Sequence, residues 1–511
     1  MSARISVASI LAESARRYPD KDALVIGETR LTYSQVWGMS RRYAAVLKAD
    51  GVGPGTRVGL MVPNIPHFVF AYYGALALGA TVVPVHSLLR ADEIAYTLTD
   101  SECAILVTAA PLLPEAAKGA EIAGVRLYSV MDSDADFSEV LRIDQLAMQI
   151  EPIEALVPRR PTDEAVILYT SGTTGKPKGA ILTHDNMLWN ATISAFDVVK
   201  LEPDDVTLAV LPLFHSFGQT VVMNAGFRVG ATLVLMPRFD GPAALDLMVK
   251  ENVSVFAGVP TMYMGLLAAT AQTESRPSLR LAISGGAAIP VATIEKVKEV
   301  FGADVLEGFG LSETSPVATF NQERYGRKAG SIGCSVWGVD IAIANADLEG
   351  EIELLPANTN GEIVIRGHNV FDGYLNKPEA TAAVMVDGWF RTGDIAYVDD
   401  DGFFFIVDRK KDMIIRGGFN VYPREVEEVL AMHPSVAQVA VVGVVDEHYG
   451  EEIHAVVVCI EGQEIVEAEL IEWVKPQIGQ HKYPRRIHVR ESLPVGPSGK
   501  VLKRVIVEEL S

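Results

Sequence analysis

The stretch YTSGTTGKPKGAILTH, residues 169–184, follows the apolar run AVILY and crowds glycine, serine, threonine and lysine into one short segment. Backbone N–H groups and hydroxyls in such a loop can wrap phosphate oxygens, with lysine supplying charge. A Walker P-loop, however, needs Gly-Lys followed by Ser or Thr at the mouth of a helix. Here Gly175-Lys176 is followed by Pro177, which lacks a backbone donor and disfavours a helix starting on that lysine. The hydroxyls also precede the lysine. The segment therefore reads as a phosphate loop of another kind, which argues against a P-loop kinase or ATPase.

Outward from this loop, residues 20–340 alternate helical patterns with short apolar runs such as RVGLMVP, ATVVPVH, CAILVTA, VTLAVLP, ATLVLMP and LRLAISGG. Continuous rather than alternating hydrophobicity predicts strands covered on both faces, hence layered α/β architecture with largely parallel sheets. Between 340 and 408 the texture turns β-rich, with Asp-Asp-Asp-Gly at 399–402 as a hairpin signal. After DRKKD (408–412) comes a small α+β unit, in which PREVEEVLAMHP and EAELIEWVKPQ read as helices and VAQVAVVGVVD and EIHAVVVCIE as strands. The expected fold is α/β: a large N-terminal domain over 1–408 with its β-rich subdomain, a hinge at 409–411, and a small C-terminal domain over 412–511.

Composition narrows the class. With 511 residues the chain exceeds one compact core, and a formal net charge of −21 argues against nucleic acid as a partner. Cys103, Cys334 and Cys459 form neither a zinc spacing nor a disulfide framework, which predicts a reducing, cytoplasmic location and no transition metal. The longest apolar stretch, 68–85, is interrupted by Gly79 and ends in the β-branched run TVVPV, so it reads as a buried helix and strand with no transmembrane segment.

Together with PLFHSFGQ (212–219), GFGLSE (308–313), WFRTGD (389–394), DRKKDMI (408–414), GFNVYPREVEE (418–428) and GPSGKVLKR (496–504), the opening segment resembles the adenylate-forming (AMP-binding) superfamily, most of all its fatty acyl-CoA synthetases. The resemblance runs along nearly the whole chain. It implies that Thr170, Ser171, Gly172, Thr173, Thr174, Gly175 and Lys178 cradle the phosphates of ATP. Gly286 and Ala287, in SGGAAIP, would line the adenine and acyl site. Phe309 stands where the family usually has Tyr; stacking on adenine needs the ring and not the hydroxyl. Gly310 and Ser312 would border the α-phosphate, and Glu313 would hold Mg²⁺, a hard cation that favours carboxylate oxygen.

By the same resemblance Asp394, read as lying at a turn, accepts the ribose hydroxyls and Arg409 reaches the ribose or phosphate from the hinge side. His215 borders the carboxylate and the path of the thiol. Lys500 bridges carboxylate and α-phosphate during adenylation, while Lys503 and Arg504 read as solvated. The small domain is then expected to turn about the hinge at Lys411, so that Gly418 leaves room for the pantetheine arm. No aspartate lies between Leu211 and Val222, which argues against an α-amino acid as substrate.

The expected activity is that of an AMP-forming acid–thiol ligase using ATP, Mg²⁺ and CoA. SFGQTVVMNAGF and GVPTMYMGLLAA would give the acid an apolar wall, favouring a medium- or long-chain fatty acid. An aryl acid, or a carrier protein in place of CoA, is the alternative.

Overall fold

Asp163 and Thr183 bracket the two antiparallel strands that carry the opening stretch, Glu164–Thr170 and Lys178–Thr183, and these strands form one edge of a parallel sheet. The computed structural model describes residues 5–170, 176–446, 448–460, 462–495 and 501–510. They form two compact units, Met1–Asp340 with Arg366–Ala383, and Ile341–Ile365 with Val384–Ser511.

In the first unit, one sheet has the order Leu141–Arg142, Arg126–Val130, Cys103–Ala109, Arg57–Met61, Thr81–Pro84, Glu164–Thr170, Lys178–Thr183. All its neighbours are parallel except the last pair. A second sheet runs Cys334–Ser335, Val317–Phe320, Val305–Gly310, Leu281–Ser284, Val255–Gly258, Val206–Ala209, Thr232–Leu235, Asp22–Ile26, Thr29–Thr32. Its centre, from Val305–Gly310 to Asp22–Ile26, is parallel and its margins are antiparallel. The central strands TLVL, VFAG and LAIS are buried at every position, as continuous apolar runs require when helices cover both faces.

The apolar stretch 68–85 divides as its sequence indicates. Helix Pro66–Ala77 starts on a proline, which fits the first turn of a helix, and the chain then turns at Gly79 with φ +73° into strand Thr81–Pro84. Phe68, Tyr72 and Tyr73 on this helix are fully buried. Among the described residues no helix is long and apolar enough to cross a membrane.

The second unit holds two sheets. One carries the hairpin Trp389–Val398 and Phe404–Arg409 around the Asp-Asp-Asp-Gly turn, paired to Gly361–Gly367. The other orders Phe419–Val421, Ile414–Arg416, Gly450–Cys459 and Val436–Asp446, with Arg486–Arg490 parallel to Gly450–Cys459. Alternation along VAQVAVVGVVD explains its packing. Val441 joins Val426, Leu430, Leu470 and Val474 from helices Pro423–Ala431 and Glu467–Val474, whereas Ala440, Val442 and Val444 meet Ile506 from helix Lys503–Leu510. The expected hinge residues 409–411 lie inside this second unit, at the turn between its two sheets, and not at the division between the units.

Candidate functional site

In open α/β sheets ligands bind beyond the carboxyl ends of parallel strands. The first unit gathers its sequence-predicted residues there. Thr170 ends Glu164–Thr170, His215 follows Val206–Ala209, Gly286 and Ala287 follow Leu281–Ser284, and Phe309 and Gly310 end Val305–Gly310, just ahead of Ser312 and Glu313. Five positions of the phosphate loop, Ser171, Gly172, Thr173, Thr174 and Gly175, lie outside the described residues, as does Lys500.

Glu313 is the best-defined member. It sits in the short turn of helix Ser312–Thr314 and is 7% exposed. Its Oε1 accepts hydrogen bonds from Thr170 Oγ1 at 3.2 Å and from the Tyr374 hydroxyl at 2.9 Å. Burial, and then the Glu313 charge, push the Tyr374 pKa up, so the phenol stays a donor. Lys178 Nζ lies 5.0 Å from the centre of the same Tyr374 ring, and Lys176 Nζ stands 4.9 Å from that of Tyr96. Both lysines, which flank Pro177 in sequence, thus rest on aromatic faces. A buried carboxylate next to hydroxyls and lysines suits a hard cation and phosphate oxygens. Tyr374 escaped the sequence reading: FDGYLNKP joins the site through the fold, and only its aromatic-rich texture could have hinted at it.

His215 Nδ1 accepts the Phe217 N–H at 3.3 Å. The segment Phe217–Asn224, just after it, forms a π-helix, a wide helical turn that is frequent at functional sites. The expected apolar wall is thus partly polar, because Gln219 and Asn224 are fully buried within it. Phe309 and Ser312 are half-buried, and Gly286, with φ +81°, and Ala287 are exposed.

In the second unit Asp394 lies inside strand Trp389–Val398, not at a turn as its motif suggested. Gly393, at φ +74°, bends the strand in passing without ending it. Asp394 is 4% exposed, lies opposite Arg409 across the strands, and forms an ion pair with its Nε at 3.0 Å. Lys411 is exposed in the turn that follows. Asp408, next to Arg409, is buried and accepts the N–H groups of Arg409 at 2.7 Å and of Arg424 at 2.8 Å, the latter an otherwise unpaired donor in the first turn of helix Pro423–Ala431. Lys503, expected to be solvated, instead pairs with Glu427 at 2.7 Å, whereas Arg504 is exposed as expected. Helix Lys503–Leu510 packs on the sheet and carries its first lysine inward.

Gly418 is exposed, with φ +82° and no atom within 4 Å of where a Cβ would stand. Around it stands a cationic and aromatic face that the sequence did not reveal. Arg416 lies 4.0 Å from the centre of the Tyr449 ring, Arg485 lies 3.4 Å from that of Tyr483, and Phe419 packs on His481 at 5.1 Å. Glu452 holds Arg416 at 2.6 Å; burial and the nearby Arg416 charge lower the Arg485 pKa. Guanidinium groups stacked on aromatic rings suit phosphates and a nucleobase.

Comparison with known proteins identifies the family. Residues 11–375 match the family model described as AMP-binding enzyme, and residues 425–500 match that described as AMP-binding enzyme C-terminal domain. A long-chain-fatty-acid–CoA ligase of Bacillus subtilis (strain 168) is 38% identical, over 98% of this chain and 94% of the relative. A feruloyl-CoA synthase of Amycolatopsis sp is 36% identical over 96% of each chain. The crystal structure of ATP-bound MatB from Rhodopseudomonas palustris superposes with a TM-score of 0.89 at 31% identity, covering 99% of both chains.

Proposed function

The chain belongs to the AMP-binding enzyme family and is an ATP-dependent acyl-CoA ligase, and from that premise we propose that its acid is a medium- or long-chain fatty acid and that its residues divide the work as follows. The observation that carries the reading is the hydrogen-bonded cluster of Glu313, Thr170 and Tyr374 at the carboxyl ends of the parallel strands. It fits Mg²⁺ with the ATP phosphates, and the metal supplies charge neutralisation there when bound. Thr170 to Gly175 and Lys178 orient the phosphates. Phe309 stacks on adenine, Ser312 borders the α-phosphate, and Gly286 and Ala287 shape the adenine and acyl edge. Asp394 and Arg409 hold the ribose.

A carboxylate oxygen of the acid attacks the α-phosphorus and pyrophosphate leaves. Lys500 offsets the negative charge that accumulates as the two anions approach. The CoA thiolate then attacks the carbonyl of the mixed anhydride, and AMP departs with the anhydride oxygen. His215 lies where acid and thiol meet. For the second step the part beyond the hinge at 409–411 turns, bringing Gly418 to the pantetheine arm. The face of Arg416, Arg485 and Tyr449 suits the nucleotide end of CoA.

The alkyl assignment leans on the Bacillus relative and on the apolar residues of 217–229 and 259–269. The feruloyl-CoA synthase relative favours an aryl acid as the second reading. The test is a panel of acetate, octanoate, palmitate, benzoate, coumarate and malonate with MgATP and CoA, read by pyrophosphate release and mass spectrometry of the thioesters. Turnover greatest with octanoate or palmitate supports the proposal. Preference for benzoate or coumarate replaces it with the aryl reading, and pyrophosphate without any acyl-CoA would move the acceptor to a carrier protein.

A further inference from the structure

Segment 209–224, which carries His215, is gripped at several places by one stretch of chain, the loop–helix–strand passage from 62 to 86. Asn64, 3% exposed, donates through Nδ2 to the carbonyls of Ala209 at 2.9 Å and Leu211 at 2.8 Å. Its Oδ1 accepts the Leu213 N–H at 3.0 Å. One amide thus fixes three alternate backbone positions immediately before Phe214 and His215. At the next strand end, the His86 ring packs on Phe214 with centroids 4.4 Å apart. Its Nδ1 accepts the Leu88 N–H at 3.0 Å, and burial pushes its pKa down to about 4, so the ring is neutral at pH 7. At the far end of the segment, Tyr73 donates to Asn224 Oδ1 at 2.7 Å, and Asn224 Nδ2 donates to the Tyr72 hydroxyl at 3.3 Å.

The grips differ in kind. Those on Asn224 close the π-helix onto helix Pro66–Ala77 inside the core. Those of Asn64 and His86 fall on the turn at the carboxyl ends of the strands, where a shift in backbone moves His215 itself. A side chain that uses both donor hydrogens and its acceptor on one segment restrains that segment's translation and rotation together, as a single hydrogen bond does not.

We propose that Asn64 and His86 are positioning residues for the acid: acting through the backbone at 209–213 and through the Phe214 ring, they set where His215 stands and so which acid is accepted. The proposal rests on the acid-site reading above. It asks of His86 a flat ring and of Asn64 a full amide. Neither need touch the substrate.

The experiment joins an activity-independent readout to a kinetic one. Hydrogen exchange of the whole chain is compared for wild type, Asn64→Ala, His86→Ala and His86→Phe, and KM for acid and for ATP is measured across the panel. Asn64→Ala is expected to speed exchange in 209–219 while strands Glu164–Thr170 and Val305–Gly310 keep their protection. Its KM for acid should rise about tenfold or more, as small misplacements near a reacting group cost that much or more, with KM for ATP within about twofold. His86→Ala should alter the ranking of acids and His86→Phe should restore it. Unchanged exchange in 209–219 of Asn64→Ala, or equal losses for acid and ATP, overturns the proposal; so does a His86→Phe as altered as His86→Ala. If the wild-type chain joins none of the acids to CoA, it is the fatty-acid reading that falls, and the exchange data still decide whether Asn64 holds the segment.

Discussion

Tyr374 donates its phenolic hydrogen to Glu313 Oε1 at 2.9 Å, although 61 positions of sequence separate the two residues. The bond holds a buried carboxylate in one orientation beside Thr170. Hydrogen bonds to charged groups contribute about 1.5–3 kcal/mol.

Removing that hydroxyl should loosen Glu313 without removing its charge. Tyr374→Phe is expected to raise KM for MgATP by about tenfold, from the lower half of that energy range. Excess Mg²⁺ should recover part of the loss, because a misoriented carboxylate still binds the cation weakly. Pyrophosphate exchange measured against Mg²⁺ concentration checks this. A Mg²⁺ dependence identical to wild type would detach Glu313 from the metal.

The Asp394–Arg409 pair predicts a different signature. ATP and acyl-AMP share a ribose, so Asp394→Asn should weaken both by a similar factor, about tenfold for one charge-assisted contact. Tyr374→Phe, acting at the outer phosphates, should spare acyl-AMP. Both variants are assayed in the two half-reactions with supplied acyl-AMP. Loss confined to ATP in Asp394→Asn would remove the ribose assignment.

Gly418 and Lys500 should divide the half-reactions between them. Lys500→Ala is expected to abolish acyl-AMP formation and leave thioesterification of supplied acyl-AMP nearly intact. Gly418→Leu should do the reverse. Space around Gly418 is open at the first side-chain atom, since a Cβ there meets nothing within 4 Å. The leucine's lesion is a left-handed backbone costing about 1–2 kcal/mol and a branched side chain on the face assigned to CoA. Equal damage to both steps in either variant would contradict turning about 409–411.

These contrasts show what the sequence could and could not carry. Layering and parallel pairing were legible because strands such as TLVL and LAIS are apolar at three of four positions and buried at all four, and apolar burial is written residue by residue. Thr170, Glu313 and Arg409 could be nominated from sequence because each lies in a compact motif. Tyr374, Asn64 and His86 were not, since their partners lie 61, 145–149 and 128 positions away in sequence and meet only when strand ends converge. Asp394 was placed at a turn because Gly393 looks like a terminator. A positive φ can instead bend a strand that continues. Lys503 looked solvated because a basic tail usually is, yet amphipathic packing of helix Lys503–Leu510 turned it toward Glu427.

The last residue of the opening stretch supplies a pH dependence. His184 begins helix His184–Ile193, is fully buried, and accepts the Val7 N–H on Nδ1 at 3.2 Å. Burial, and then the Arg159 charge, push its pKa from the ordinary 6.5 down to about 4. The folded chain therefore holds a neutral ring that the unfolded chain would protonate below pH 6.5. Its contribution is fully present above pH 6.5 and is lost as pH falls through 4. Between those limits the loss is about 3 kcal/mol at 1.36 kcal/mol per pH unit. His184→Gln keeps an acceptor for Val7 and cannot titrate, so its urea midpoint should fall less steeply than that of wild type from pH 7 to pH 4.5. The carboxylates common to both chains cancel in the comparison. Parallel curves over that interval would mean that His184 is already protonated in the fold, and that the Val7 contact does not fix its tautomer.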